Sequence, residues 1–208
     1  MLFTKCLDPG TLDLLRSLMD FAPLEKFALV GGTNLALRFG HRLSIDIDLF
    51  SPIPFENQEL AENLSTAFSQ IEIGDLRNRI GLFCYINNIK VDFVKHHHFG
   101  LLEPVQLYDN VRMFGIRDIA AMKIFAMQKR PRKKDHWDIA ELLKHMTLDQ
   151  MIDSFLEKYP DKPLLITIPK ALTYTGDVEE DEDPVSLNGT TWENVKNFIG
   201  QKVDEFLR

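Results

Sequence analysis

Residues 31 to 50 read GGTNLALRFGHRLSIDIDLF. The spacing of apolar residues from Thr33 to Phe39 predicts a helix, and Gly40 is a natural stop because glycine adopts the left-handed conformation that ends helices. Ser44 to Phe50 alternates polar with apolar residues, the period of a strand whose two faces see different surroundings. In such a strand Asp46 and Asp48 leave the same face, about 6–7 Å apart at the backbone, while Ile45, Ile47 and Leu49 point the other way. Two adjacent carboxylates in a core-forming strand repel each other and are costly to bury without a compensating cation or base. Mg²⁺ suits that task, being bound by one or two carboxylates together with substrate phosphates. The spacing alone equally allows an edge strand with its polar face in water, or an aspartate that caps a turn.

Upstream, Phe27 to Val30 reads as a short buried strand running into Gly31-Gly32. A strand, a glycine pair and a helix start form an arrangement in which phosphate can approach backbone N–H groups and the positive helix end. The pair fits neither the dinucleotide fingerprint nor the Walker pattern. Before it, Leu12, Leu14, Leu15, Leu18 and Met19 have helical spacing between Pro9-Gly10 and Pro23. After the strand, Pro52 and Pro54 close it, and Leu60, Leu64 and Phe68 predict a helix within 55–70. Strands are expected at 71–76, 80–86 and 89–95, the last two joined by Asn87-Asn88, a pair suited to a tight hairpin turn. Asp92 in IKVDFVK is a third carboxylate, with Val91 and Phe93 turned inward; a plain surface aspartate is the alternative. From Arg117 the pattern becomes helical, over 117–130, 133–146, 148–158 and 190–207, with Trp192, Val195, Ile199, Val203 and Phe206 forming a stripe on the last. The expected fold class is α+β, with a mixed α/β region over 1–115 and a mainly helical part over 116–208.

The 208 residues hold 24 Lys and Arg against 31 Asp and Glu, a formal charge of −7, and are 45% hydrophobic and 26% charged. That composition belongs to a globular chain long enough for a real core and argues against a disordered or fibrous protein. No apolar run approaches the ~18 residues of a membrane span, and the opening MLFTKCLDPG has no apolar signal core. Cys6 and Cys84 are too few for a disulfide framework and wrongly spaced for zinc, so a cytoplasmic location is expected. Charge is uneven: residues 177–183 (DVEEDED) carry six acids, and the remainder is close to neutral at −1. This acidic knot, closed by Pro184, reads as a solvated loop. Its opposite is a basic run of Lys129, Arg130, Arg132, Lys133 and Lys134 around Pro131, able to hold phosphates locally. His96, His97 and His98 are consecutive and cannot converge on one ion from regular structure, which argues against zinc.

Gly31-Gly32-Thr33, a twelve-residue gap, Asp46-Ile47-Asp48 and the distal Asp92 together resemble the signature of the polymerase-β nucleotidyltransferase superfamily. The string GGTNLALRFGHRLSIDIDLFS, with Lys123 followed by RPRKKDHWDIAELL, more narrowly resembles the AbiEii/AbiGii toxin family of bacterial nucleotidyltransferases; the match covers roughly residues 25 to 145. The resemblance implies a metal-dependent enzyme that moves NMP from an NTP to an acceptor hydroxyl, with two Mg²⁺ ions held by Asp46, Asp48 and Asp92. It gives Gly31, Gly32 and Thr33 to the nucleotide phosphates, and makes Asp92 the group that accepts or orients the attacking hydroxyl's proton. In the Lys-Asp-x-x-Asp motif, Lys134 would hold a phosphate and Asp138 would fix Lys134 or a metal-bound water. Lys123 is a second phosphate candidate, against a snorkelling lysine as the plain reading. Arg42 resembles a family arginine that pairs with a carboxylate or phosphate. The helical part from 116 would complete the active-site cleft. The implied partners are an RNA acceptor, tRNA among them, and a separately encoded antitoxin. Two alternatives remain open at this point: a nucleotide-binding interaction module with little turnover, and a small-molecule nucleotidyltransferase of the antibiotic-modifying sort.

Overall fold

The computed structural model describes residues 1–164 and 166–208. Its centre is one mixed sheet of β1 (Ala28–Leu29), β2 (Ile47–Ser51), β3 (Ile71–Ile73), β4 (Gly81–Ile86), β5 (Ile89–Lys95), β6 (Gln106–Tyr108) and β7 (Val111–Met113). The spatial order is β3-β4-β5-β2-β1-β7-β6, with β2 antiparallel to β1 and parallel to β5. Asn87 and Asn88 join β4 to β5 with φ of 52° and 62°, the left-handed pair that a two-residue hairpin of the primed type requires. Asp109 and Asn110 do the same between β6 and β7, at 48° and 64°.

Helices α1 (Pro9–Asp20), α2 (Gly31–Phe39) and α3 (Asn57–Ala67) accompany the strands. Asp8 opens α1 by accepting the Thr11 amide at 3.0 Å, and Pro9 at the first helical position costs no hydrogen bond because that N–H would be unpaired anyway. The buried side chains of α1 and α3 pack with Phe27, Leu49, Leu82, Val91 and Phe93 into one core cluster. A second cluster is built from α4 (Ile116–Met127), α5 (Lys133–Leu142), α6 (Leu148–Lys158), α7 (Ile168–Thr173) and α8 (Trp192–Phe206), and it also takes in Ala28, Val30 and Leu35. The residues around the β1–α2 junction are therefore shared between both cores, which holds that junction rigidly. The fold is α+β, a mixed sheet with flanking helices followed by a mainly helical chain.

Inside the second core Lys158 and Asp118 pair at 2.7 Å with both side chains fully buried. Lys158 also donates to the Gly100 carbonyl at 2.8 Å, and Asp118 accepts the Leu102 and Glu103 amides. That satisfaction is what makes a buried charge pair tolerable. His96 lies beside it, among Phe50, Phe99 and Phe114. Burial, with the Lys158 charge next, pushes its imidazole down to about 4, so it is a neutral core side chain.

Several boundaries differ from the sequence expectation. The helix after Gly-Gly starts at Gly31 itself, and β2 starts at Ile47 instead of Ser44. Strands β6 and β7 and helix α7 are additional; three-residue strands and a two-turn helix are too short to establish a period. Among the described residues, no helix is long and apolar enough to cross a membrane.

Candidate active site

The sheet and α2 meet at the glycine pair. Gly31 has φ +69°, in the left-handed region, and a Cβ there would lie 2.5 Å from Asp48 Oδ2. A side chain at this position is disfavoured twice, once by backbone strain and once by the carboxylate. Val30, the N-cap, offers no side-chain cap, and among the described residues nothing accepts from the amides of Gly31, Gly32 or Thr33. Three N–H groups at the positive end of a helix are thus unpaired, and those of half-buried Gly31 and Gly32 are open to an anion.

Thr33 is buried, and its hydroxyl meets Ser44 Oγ at 2.8 Å and donates to the main-chain carbonyl of Asp46. With the Leu43 amide on Val185 O and the Ser44 amide on Cys6 O as well, residues 43–46 stay out of the ladder, so Asp46 precedes β2 and its carbonyl is held by Thr33. The strand period expected to align Asp46 with Asp48 does not act there. Asp48 lies directly opposite Asp92 in the parallel β2–β5 register, which puts those two on one face of the sheet. Two lysines answer the outer carboxylates: Lys134 reaches Asp46 Oδ2 at 3.1 Å, and Lys90 reaches Asp92 Oδ2 at 2.5 Å. The Asp48 carboxylate receives neither hydrogen bond nor ion pair among the described residues, while its main-chain carbonyl accepts the Val30 amide at 2.9 Å. Burial pushes its pKa up to about 6, with the charges of Asp92 and Asp46 adding to the effect.

Among the described residues, no three Asp, Glu, His or Cys side chains are drawn together closely enough to hold a metal ion as they stand. The donor set nonetheless suits a hard cation. Asp92 Oδ1 is buried with no partner, and Asp48 is an uncompensated carboxylate beside two others. Lys90 went unnoticed in the sequence, although its place two residues before Asp92 on an alternating strand puts both on one face.

Behind this site lies a buried ion cluster. Asp138 accepts a bidentate pair from Arg42, Nε to Oδ1 at 2.8 Å and Nη2 to Oδ2 at 2.9 Å. His41 Nε2 is 2.8 Å from Oδ1, and Lys123 Nζ is 2.6 Å from Oδ2 and 2.7 Å from Asp135 Oδ1. Burial alone would raise the Asp138 pKa, but Lys123 and Arg42 outweigh it and hold the carboxyl well below its usual range. The same pairing raises the Lys123 pKa against the opposing effect of its own burial. Asp138 therefore meets Arg42 and Lys123, not Lys134 as the motif suggested, and ties residues 41–42 to α4 and α5.

The acidic knot is not a free solvated loop. Lys133 Nζ bonds Asp183 Oδ1 at 3.0 Å and the Glu179 carbonyl at 2.9 Å, and Arg132 Nη1 lies 3.7 Å from Asp181 Oδ1. Beyond it, the Leu43 amide donates to Val185 O at 2.9 Å and the Leu187 amide to His41 O at 3.1 Å, around an isolated Arg42–Ser186 bridge. A cleft of about 770 Å³ opens between residues 42–45, 132–134 and 181–185, beside Asp46.

A family model described as the nucleotidyl transferase AbiEii toxin of type IV toxin–antitoxin systems matches residues 13–201. The chain belongs to the AbiEii nucleotidyltransferase family. An uncharacterised protein of Aquifex aeolicus (strain VF5) is 30% identical over 205 residues, covering 94% of this chain and 95% of the relative. MenT4, a nucleotidyltransferase toxin of Mycobacterium tuberculosis H37Rv, superposes with a TM-score of 0.59 at 13% identity over 94% of this chain and 84% of that one. JHP933 from Helicobacter pylori does so with a TM-score of 0.58 at 16% identity, over 96% and 92% of the two chains. These likenesses extend the fold assignment across almost the whole chain.

Within this AbiEii nucleotidyltransferase the second glycine has a reason that the sequence did not suggest. A Cβ on Gly32 would overlap the Arg42 guanidinium and sit 3.1 Å from Asp138 Oδ2. Gly32→Ala is therefore expected to displace Arg42 from Asp138 and lower stability by about 2–3 kcal/mol, within the range of single changes that disturb a buried pair. Urea denaturation of the variant measures it; an unchanged midpoint would mean that Arg42 moves aside freely.

Proposed function

We propose that this nucleotidyltransferase moves a nucleoside monophosphate from an NTP to a hydroxyl of RNA, tRNA among the candidates, with pyrophosphate leaving. The observation that carries this reading is the Asp48–Asp92 register beside the unpaired amides of Gly31, Gly32 and Thr33. Phosphate-binding donors and a set of acidic groups then share one spot. The amides of Gly31 and Gly32 would hold phosphate oxygens of the triphosphate, and Lys134, once released from Asp46, would hold another. Two Mg²⁺ ions on Asp46, Asp48 and Asp92 would, when bound, offset charge on the pyrophosphate and acidify the acceptor hydroxyl. Asp92 would take the acceptor's proton, as the acceptor oxygen bonds the α-phosphorus and the bond to the pyrophosphate oxygen breaks. Arg42, Lys123 and Asp138 act as positioning residues behind the phosphates, and the helical part from 116 completes the cleft by supplying Lys134. Exposed Lys129 and Arg130 at the end of α4 favour a polyanionic acceptor. As a member of a toxin family the enzyme would arrest growth in the cytoplasm, with a separately encoded antitoxin to counter it.

Incubation with each of the four α-phosphate-labelled triphosphates, Mg²⁺ and total RNA tests this reading. Label is expected in the small-RNA fraction with one triphosphate preferred. No incorporation into any RNA fraction would overturn the RNA acceptor, and label appearing on small hydroxyl compounds would assign the acceptor to that class instead. Lys134→Ala is expected to lower kcat about 100-fold at saturating RNA, the scale for removing one preorganised donor to a transferring group. Its melting point should hardly move, because Lys134 is half-exposed and an ion pair of that kind adds little stability.

A further inference from the structure

We propose that residues 180–187 form an acidic strap lying in the groove where this enzyme takes its polyanionic acceptor, and that an RNA chain binds by displacing it. The proposal deepens the reading above and rests on it. The strap's carboxylates stand where phosphates would stand. Asp183 is on Lys133 Nζ, Asp181 is on Arg132, and Asp181 Oδ2 also accepts the Lys133 amide at 3.3 Å. With Lys134 on Asp46, every cation from 132 to 134 is matched by a carboxylate of this chain.

The attachment is built to hold but not to lock. On its N-terminal side the strap is anchored: Val178 is buried, and Glu179 accepts from Trp192 Nε1 at 2.9 Å and pairs with Lys196 at 3.4 Å. Beyond that anchor, the hydrogen bonds and ion pairs that hold residues 180–187 to the rest of the protein, among the described residues, are the two ion pairs, the Asp181 contacts with the Lys133 amide and the Val178 carbonyl, and the two backbone bonds to 41–43. The Arg132–Asp181 pair is exposed enough to be worth about 0–1 kcal/mol, and Asp183 stands half in solvent over the buried Lys133, so a run of phosphodiesters with released counterions can outcompete them. The displaced strap would uncover Lys133, which is 5% exposed beneath it, in the cleft that flanks Asp46.

A reversible lock tests this. The Leu43 amide bonds the Val185 carbonyl next to the antiparallel Arg42–Ser186 bridge, a pairing whose Cα atoms generally lie about 5.5 Å apart, within the span of a disulfide, and both side chains are exposed. Leu43→Cys with Val185→Cys, oxidised, should weaken binding of fluorescent bulk tRNA about tenfold or more and slow labelling of RNA, with recovery on reduction. Binding of triphosphate with Mg²⁺ should be the same in both forms. Conversely, Asp181→Asn with Asp183→Asn should bind tRNA more tightly. Its plot of log affinity against log salt should steepen by about 1.4, at roughly 0.7 for each of two freed cations on a single strand. Oxidised protein that binds and labels RNA as the reduced form does, or a double Asn variant that binds no tighter, overturns the strap. Failure of the unaltered protein to bind any triphosphate would overturn the transferase reading, and the strap with it.

Discussion

Asp48→Asn is expected to abolish nucleotidyl transfer while leaving the fold intact and, without Mg²⁺, somewhat more stable. The Asp48 carboxylate has no donor among the described residues and stands across the ladder from Asp92, and its pKa is pushed up to about 6, first by burial and then by Asp92. A carboxyl whose folded pKa lies above its unfolded value binds more protons in the native state between about pH 4 and pH 6. Stability therefore falls as pH rises through that window and stays lower above it. At pH 8 the neutral variant should gain about 1–2 kcal/mol, less than the full shift implies because the site is only half-buried. Below about pH 4 the two proteins should melt alike. Added Mg²⁺ should raise the melting point of the unaltered protein and not that of the variant. A variant several kcal/mol less stable at pH 8 would show that Asp48 is held by a base and is not a ligand-in-waiting.

Asp138→Ala is expected to have the largest effect on stability, a loss of about 3–5 kcal/mol, because it strands the buried Arg42 and Lys123 charges. Against a typical total of about 5–15 kcal/mol, that leaves a marginal protein. The cluster also sets an acid limit. Asp138 is held well below its usual range, so its contribution is complete above the unfolded carboxyl value near pH 4 and is lost as pH falls toward its folded value. Chemical denaturation at pH 7 and at pH 3 measures both parts: the gap between the unaltered protein and the variant should be wide at pH 7 and narrower at pH 3. A gap of under about 1 kcal/mol at pH 7 would mean that Arg42 and Lys123 are neutralised by other groups, and that Asp138 serves the substrate instead.

These two aspartates illustrate what was legible beforehand. Glycine pairs, helix stops, an alternating strand and an Asn-Asn turn are local signals, and they predicted α1 to α3, β4, β5 and the large helices of the C-terminal half. Asp46, Asp48 and Asp92 were legible as candidates, because period two on β5 and the Asp46-Ile47-Asp48 spacing are visible in the string. The reason for the spacing was not: Asp46 lies outside the strand, and its position depends on a hydroxyl thirteen residues earlier, Thr33.

Sequence by itself determined the fold class and the family, since helix and strand periods and the motif at 31–50 depend only on neighbouring residues. Tertiary structure alone decided which charge meets which. Lys134 faces Asp46 across 88 positions, Arg42 faces Asp138 across 96, and Lys133 faces Asp183 across 50. Coulomb attraction in a partly buried site depends on distance and desolvation, and neither is written in the order of the residues. A lysine one turn before an aspartate on a helix is a sound local expectation, worth a few tenths of a kcal/mol. It yields when packing α5 against residues 41–42 gives Asp138 a desolvated bidentate arginine, and leaves Lys134 free to reach across the cleft.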